Sequence, residues 1–144
     1  MTIRPRSLRA VQQARSRLRD LASAGYHQAQ AEAGAAEHAA ASASSVLDRK
    51  LDESRQRMHA ASITGLIRIS ADLESARAEA TTAEAASAEA ATALREAADA
   101  LAKRERDLRS IDRAIEQALA VTEELRATDE QRLSDDLSSR RRAL

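Results

Sequence analysis

Apolar side chains recur at alternating intervals of three and four residues through the second half of the chain. With Leu66 placed at heptad position a, the a and d positions from there to Leu125 carry a single charge, Arg104. All the others are Leu, Ile, Ala, Ser or Thr. A sustained apolar seam of about eight heptads is typical of a coiled coil, so the pattern predicts one long helix in this half.

The first half carries a less regular stripe that predicts another helix. Its only charge is Arg15. Two steps, near Tyr26 and Ala40, depart from the alternation and indicate local phase slips. The predicted stripe consists of Leu8, Val11, Arg15, Leu18, Ala22, Tyr26, Ala29, Ala33, Ala36, Ala40, Ser44, Leu47, Leu51, Ser54 and Met58.

The two halves are related by symmetry. Two alanine-rich blocks, residues 29–43 and 79–93, are centred at about equal distances on either side of residues 60–61, so the numbers of their centres sum to about 121. Pairs of large residues such as Leu47 and Leu73 have numbers that sum to between 120 and 122. Two antiparallel helices give such a constant sum. The predicted fold is therefore all-α, a long antiparallel two-helix coiled-coil hairpin with the turn near residues 59–65. A continuous long helix that pairs with another chain is the alternative.

The predicted organisation is a single coiled-coil rod over residues 1–144. Helix 1 covers about residues 6–59, the turn about 60–65 and helix 2 about 66–140. Within the turn segment MHAASITG, the residues suited to ending one helix and starting the next are Ser62, Thr64 and Gly65.

Residues from about 120 onward have no partner within the predicted hairpin. They nevertheless keep a narrow apolar stripe, and a helix with an uncovered stripe usually expects another surface. The stripe consists of Val121, Leu125, Leu133 and Leu137, and the basic residues Arg140 and Arg141 follow it.

Composition favours long helices over a compact core. The apolar fraction is 43%, but most of it is alanine, and Tyr26 is the only aromatic residue. There is no cysteine, which excludes disulfides and cysteine-ligated metals. No apolar run approaches the roughly 18 residues that a membrane-spanning helix needs, so no membrane insertion is expected.

Charge is unevenly distributed although the net charge is zero. Residues 1–31 carry six arginines against one aspartate, and residues 32–101 carry seven basic against twelve acidic residues. The first 19 residues are Arg-rich, acid-free and amphipathic, as a mitochondrial transit peptide is. Because the apolar stripe runs on without interruption, the start of a structural helix is the favoured interpretation.

The sequence contains no recognisable catalytic constellation. It has no glycine-rich phosphate loop, no metal-spaced pair of ligands and no nucleophile with a neighbouring base. His27 and His38 are too far apart along a helix, at about 16 Å, to share a metal. The chain is therefore predicted to be non-enzymatic and to use no cofactor or metal.

The basic start of the chain is the first candidate binding surface. In the predicted register it lies beside residues 103–107, with Arg15 near Glu105. An acidic protein partner is favoured over a solvated face with one buried polar layer. Nucleic acid or anionic lipid ranks last, because no aromatic residue of this patch could stack on bases. The arginines concerned are Arg4, Arg6, Arg9, Arg15, Arg17 and Arg19.

The turn segment ITGLIRI is the second candidate surface. The favoured interpretation is that its apolar side chains close the tip of the hairpin, and the alternative is that they dock onto a partner. These side chains are Ile63, Leu66, Ile67 and Ile69.

An Arg-rich amphipathic start, a hairpin with its turn near the midpoint, and the charged stretch EQALAVTEELRATDEQRLSDDLSSRRR (116–142) together resemble one family. It is the central stalk family of type III secretion systems, which includes FliJ in flagella, YscO-type proteins in injectisomes and shorter Ala/Arg-rich forms in plant-pathogen Hrp systems.

The resemblance implies a bacterial, virulence-related component of protein transport. Such a stalk is cytoplasmic, peripheral at the cytoplasmic face of the secretion apparatus, and links and regulates the hexameric secretion ATPase and the export gate. The end that carries both termini enters the ATPase pore. The resemblance therefore implies that Arg4 to Arg19 and residues 120–142 meet the ATPase, while Ile63 to Ile69 face the export-gate protein.

Two other kinds of function compete with the stalk. One is a structural coiled coil that self-associates through the spare helix seam. The other is an amphipathic coat protein of a granule or membrane surface, which ranks last because its stripe has few large apolar residues.

Overall fold

The computed structural model describes residues 5–143, which form two long α-helices joined by a short turn. Helix α1 spans Pro5–Arg57 and helix α2 spans Ile63–Arg142. The described residues contain no strand. The predicted all-α helical hairpin is therefore confirmed.

The packing divides the hairpin into two units. Unit 1 combines Met1–Leu21 with Ala102–Leu144, and unit 2 is Ala22–Leu101. Each unit contains a stretch of α1 and a stretch of α2, so each has its own seam between helices.

In unit 2 the seam is built mainly from small residues. Every predicted seam position of α2 from Ile69 to Leu101 is buried or half-buried. Ala76, which is 2% exposed, and Ala80, at 6%, are among the most buried residues of the described chain. The distance between two helix axes depends on the side chains at the contact, so alanine permits a close approach. Each buried alanine nevertheless contributes little apolar area.

The turn in unit 2 is Met58–Ser62, which is shorter and begins earlier than the predicted 60–65. Ser62 caps α2: its side-chain oxygen accepts a hydrogen bond from the backbone N–H of Gly65 at 3.2 Å, and its carbonyl oxygen accepts one from Leu66 at 2.9 Å. Thr64 and Gly65, which were predicted as turn residues, lie within the first turn of α2 instead.

In unit 1 the two helices are joined by polar contacts across the seam. Nε2 of Gln12 donates to Oδ1 of Asp112 at 2.6 Å, and Nη1 of Arg15 donates to the backbone carbonyl oxygen of Asp107 at 3.1 Å. The residue numbers of these pairs sum to 124 and 122, so the stretches are antiparallel and agree with the predicted register to within one helical turn. Ile115 is the buried apolar residue of this seam, at 9% exposed.

The buried stripe of α1 differs from the predicted one. One series of buried and half-buried positions alternates by four and three residues from Leu8 to Ser54 without a break, so the predicted phase slips are wrong. Ser16, Ser23, Val46 and the predicted Leu51 adjoin this series and are half-buried as well, whereas the predicted Ser44 and Met58 are exposed. Gln12 and Arg19 are half-buried, whereas Val11 and Leu18 are 40% and 41% exposed. The observed positions are Leu8, Gln12, Arg15, Arg19, Ala22, Tyr26, Ala29, Ala33, Ala36, Ala40, Ala43, Leu47, Lys50 and Ser54.

Helix α2 extends past the described start of α1 within unit 1. The observed register places Pro5 beside about residue 118. From Leu119 to Ala143 every residue except the half-buried Thr122 is exposed. We refer to residues 119–142 as the overhang. No helix in residues 5–143 is both long enough and apolar enough to cross a membrane.

Candidate protein-binding surfaces

The arginines of the basic start fall into two groups. Arg6, Arg9 and Arg17 are exposed on α1, whereas Arg15 and Arg19 are half-buried at seam positions. Arg4 lies outside the described residues. The exposed arginines are available to a partner. Of the half-buried pair, Arg15 bonds to the other helix, whereas Arg19 pairs with the adjacent Asp20 at 2.9 Å.

Arg15 has a partner across the seam, but it is not the predicted one. Its guanidinium donates to the backbone carbonyl oxygen of Asp107, whereas the carboxylate of Glu105 lies 3.7 Å from the guanidinium of Arg109. A polar side chain held at one seam position favours a single register over shifted ones. The role of Arg15 is therefore to align the helices of unit 1.

A second polar layer, between Gln12 and Asp112, was not predicted from the sequence. Hydrophobicity alone favours Val11 over Gln12 at this seam position, because Val11 is apolar. The unbroken alternation of four- and three-residue steps was the signal that could have found it. That spacing selects Gln12 and Arg19 over Val11 and Leu18.

The paired part of unit 1, residues 5–21 and 102–118, is strongly basic. It contains ten basic residues and five acidic ones. On α2, Arg106, Arg109 and Arg113 line one shallow surface groove together with Ser110 and Gln117. These three arginines recur at intervals of three and four residues, which places them on one face of the helix. They extend the basic surface beyond the residues predicted from the sequence.

The exposed side of α1 in unit 1 carries an uncovered apolar stripe. Val11, Ala14, Leu18 and Leu21 are all exposed, and they are separated by steps of three, four and three residues. This spacing aligns them along one face of a helix. We call these four residues the α1 stripe.

The overhang carries a second uncovered stripe. All four predicted members are exposed large apolar residues, and Arg140 and Arg141 are exposed beyond them. Unit 1 thus presents two apolar stripes, one on each helix, that are not covered within the described chain. The members of the overhang stripe are Val121, Leu125, Leu133 and Leu137.

In unit 2 the apolar residues after the turn are mostly exposed. Ile63 is 80% exposed, Ile67 is 65% and Leu66 is 40%, whereas Ile69 is half-buried. Ile69 therefore closes the seam, but that interpretation is wrong for Ile63 and Ile67, which point away from it. A docking role for these exposed side chains remains a prediction.

The described residues hold no group of three or more histidine, aspartate or glutamate side chains arranged for a metal ion. Comparison of the chain with known protein families, with curated proteins and with solved structures found no match in any of the three.

Proposed function

We propose that this protein is a non-enzymatic stalk of a type III secretion export apparatus, which links and regulates the hexameric secretion ATPase and the export gate. The observation that carries the proposal is the combination found in unit 1. A basic two-helix segment is followed by a long overhang whose apolar stripe is uncovered. These are features of a protein-binding end, and the resemblance of the sequence supplies the identity of the partner.

The ATPase-binding surface in this proposal consists of the exposed arginines of α1 and the overhang. Arg6, Arg9 and Arg17 are exposed and present their charge to solvent. Exposed charges accelerate and orient association with an oppositely charged surface while contributing modestly to affinity. Such contacts suit a stalk that must change its position within an ATPase ring.

The export-gate surface is the exposed apolar group after the turn. Ile63, Leu66 and Ile67 lie on the outside of the first turns of α2. Three large side chains make a small interface, and small interfaces are typical of weak, transient complexes. This surface would contact the gate reversibly at the cytoplasmic face of the membrane.

Charge reversal tests the ATPase-binding surface. The variant Arg6→Glu/Arg9→Glu/Arg17→Glu should lose co-purification with the secretion ATPase from the native organism. Its matched control is Arg49→Glu/Arg77→Glu/Arg95→Glu, which reverses three exposed arginines of unit 2 and should retain the ATPase. Arg15 and Arg19 are unsuitable positions, because their replacement also alters the seam.

Three outcomes of this experiment decide the proposal. Loss of ATPase co-purification by the variant Arg6→Glu/Arg9→Glu/Arg17→Glu, with retention by the control, supports the proposal. Equal retention of the ATPase by both variants contradicts the assignment of this end. If the unaltered protein captures no secretion ATPase at all, the function itself is contradicted.

A further inference from the structure

Exposed apolar side chains are concentrated at the turn end of unit 2. Met58, which is 51% exposed, precedes the exposed Ile63, Leu66 and Ile67 within the ten residues 58–67, which we call the turn tip. Exposed apolar clusters mark sites of interaction with another molecule or with a membrane. We infer that the turn tip binds the surface of an anionic lipid bilayer, with its apolar side chains in the interfacial layer and the adjoining arginines on the lipid phosphates. The inference does not rest on the proposed function.

The turn tip lies within a basic stretch of the chain. Residues 54–71 contain three arginines and no acidic residue. Arg57 ends α1 directly before the turn tip, and Arg68 follows the turn tip on α2, so one arginine stands at each end of it. Both side chains are exposed, and neither forms an ion pair with another of the described residues 5–143. Their charge is therefore available to a negatively charged surface.

The two arginines line the same shallow groove. This groove lies between the end of α1 and the start of α2, and Gly65 also lines it. Guanidinium groups bind phosphate oxygens through charge-assisted hydrogen bonds, so the groove is suited to a lipid headgroup. Asp72 lines it as well, but it lies one helical turn beyond Arg68, further from the turn tip. The end of the groove that adjoins the turn tip is therefore the basic end.

The length of the turn tip suits the depth of a bilayer interface. Ile63 and Ile67 are four residues apart, which is about 6 Å along α2. Apolar side chains of interfacial helices lie about 5–10 Å into the boundary between the headgroups and the acyl chains. With α2 entering by its first turn, Arg68 lies at the level of the phosphates, where a long basic side chain is favourable. The proposed contact is with the bilayer surface and does not cross the bilayer.

A lipid surface fits the turn tip better than a protein partner does. A stable protein interface of standard size buries about 800 Å² on each partner and needs matching shapes. The four apolar side chains of the turn tip are too few for such an interface, and none of them lines the adjoining groove. A bilayer requires no matching shape. Its affinity follows from the apolar area that is buried and from the attraction between basic side chains and anionic lipid.

Lipid binding by the turn tip is separable from the proposed function. That function assigns the same exposed residues to the export gate, and a contact with the surrounding bilayer would hold them beside the gate. The experiments below use purified protein and pure lipid. Their failure would therefore leave the contacts with the gate and the ATPase standing, and failure of ATPase capture would leave lipid binding standing.

Co-sedimentation with vesicles tests the lipid assignment. The unaltered protein should bind vesicles of an equal mixture of phosphatidylglycerol and phosphatidylcholine at least tenfold more tightly than vesicles of phosphatidylcholine alone. Ile63→Ser/Ile67→Ser should weaken binding to the mixed vesicles at least tenfold, because apolar area is lost from the interface. The matched control Leu18→Ser/Leu21→Ser removes two exposed leucines of the α1 stripe, on the other basic segment of the chain, and should bind as the unaltered protein does.

Each result of the co-sedimentation experiment decides for or against the turn tip. Circular dichroism should show unchanged helicity in both variants, since all four replaced side chains are exposed. Absence of binding by the unaltered protein to the mixed vesicles would overturn the inference. Equal losses in the two variants, or a loss in the control alone, would also overturn it, because the lipid contact would then not be specific to the turn tip.

Replacing the two adjoining arginines tests the contribution of charge. Arg57→Gln/Arg68→Gln should weaken binding to the mixed vesicles about 20- to 30-fold, since each basic residue near an anionic surface contributes roughly fivefold. The control Arg49→Gln/Arg77→Gln replaces exposed arginines about 12–14 Å further from the turn tip along the two helices. It should weaken binding less than about twofold, because screening by salt acts over a similar distance. Equal effects of the two variants would contradict the assignment of the lipid phosphates to Arg57 and Arg68.

A fluorescent label tests the site of contact, because the chain has no cysteine of its own. Ile63→Cys, labelled with an environment-sensitive dye, should shift its emission to the blue when the mixed vesicles are added, since apolar surroundings replace water. Leu133→Cys, an exposed position of the overhang, is the control and should show no shift with the same label. No shift at position 63, or an equal shift at both positions, would refute the contact. A shift at position 63 that needs no vesicles and grows with protein concentration would mean that a second copy covers the turn tip, and would equally refute it.

Discussion

The seams of the two units differ in chemistry although both join the same two helices. In unit 2 the buried positions are the small residues Ala76, Ala80 and Ser54. In unit 1 the seam includes the half-buried Gln12, Arg15 and Arg104. A seam of small residues depends on close approach of the backbones, whereas a seam with polar side chains depends on hydrogen bonds that fit one register. The same fold is therefore specified in two physically different ways.

The two kinds of seam also differ in what they contribute to the stability of the fold and to the choice of one register. Small apolar residues lose little conformational entropy on burial but gain little area. Polar seam residues gain little net free energy, because they exchange hydrogen bonds with water for hydrogen bonds within the protein. They do penalise shifted registers, in which a half-buried donor would lose its acceptor. We expect the buried alanine positions of the unit 2 seam to be intolerant of charge, although the half-buried Lys50 is accommodated elsewhere in that seam. We expect the seam of unit 1 to be sensitive to the loss of a hydrogen-bonding partner.

A charge placed in the seam of unit 2 should have the largest effect. Ala76→Asp should lower the free energy of unfolding by about 3–5 kcal/mol, because the carboxylate would be buried without a partner. Ala78→Asp, at an exposed position two residues away, should cost less than about 1 kcal/mol, which reflects helix propensity. Urea denaturation followed by circular dichroism measures both. Equal losses of unfolding free energy in the two variants would show that the alanine seam is open to water. The seams of the two units would then not differ in their tolerance of charge.

The large residues of unit 2 should matter more than its alanines. Leu47→Ala/Leu73→Ala should lower the free energy of unfolding by about 2–4 kcal/mol, since both leucines are half-buried and each truncation removes apolar contact. Ala83→Ser/Ala90→Ser, at half-buried seam positions, should cost about 1 kcal/mol or less. The same denaturation measurement ranks the two variants. The reverse ranking would mean that close packing of alanine, rather than leucine, holds unit 2 together.

The heptad pattern of α2 predicted its buried face well. Positions from Ile69 to Thr122 at a and d are all buried or half-buried, because apolar and small residues occupy them almost without exception. The first and last predicted positions, Leu66 and Leu125, are exposed. The prediction was wrong in α1, where Val11 and Leu18 were preferred to Gln12 and Arg19. Hydrophobicity and regular spacing disagree there, and spacing prevails because the polar side chains can bond across the seam or reach water.

The exposed sites were predicted less completely than the fold. The uncovered stripe of the overhang follows from helix lengths alone, so it was predictable from the symmetry of the sequence. The α1 stripe was not, because Val11 and Leu18 were assigned to the seam. The basic groove of Arg106, Arg109 and Arg113 was not predicted either. It depends on which face of α2 is exposed, and the sequence shows an excess of arginine only in the N-terminal segment.

Loss of one hydrogen-bonding partner should affect unit 1 moderately. Gln12→Ala should cost about 1 kcal/mol, because the part-buried carboxylate of Asp112 loses its donor. Gln12→Leu/Asp112→Leu should cost nothing or increase stability, since an apolar pair replaces a polar one. A double-mutant cycle on the same two positions gives the coupling between them. A coupling energy near zero would show that the contact does not hold the register of unit 1.

The glycines of α1 should give the smallest effect and a positive one. Apart from the adjoining backbone of the same helix, no atom of the described residues lies within 4 Å of a Cβ added at Gly34, so alanine fits there without displacing a neighbour. Gly34→Ala should raise the free energy of unfolding by about 0.8 kcal/mol through helix propensity alone. At Gly65 a Cβ would lie 3.4 Å from that of Ala61, so the gain from Gly65→Ala should be smaller. Because Gly34 lies outside the seam, its effect should add to that of Leu47→Ala without coupling. Strong non-additivity of the two changes would show that helix formation and seam packing in unit 2 are coupled. The different chemistry of the two seams would then not by itself account for the different responses of the two units to substitution.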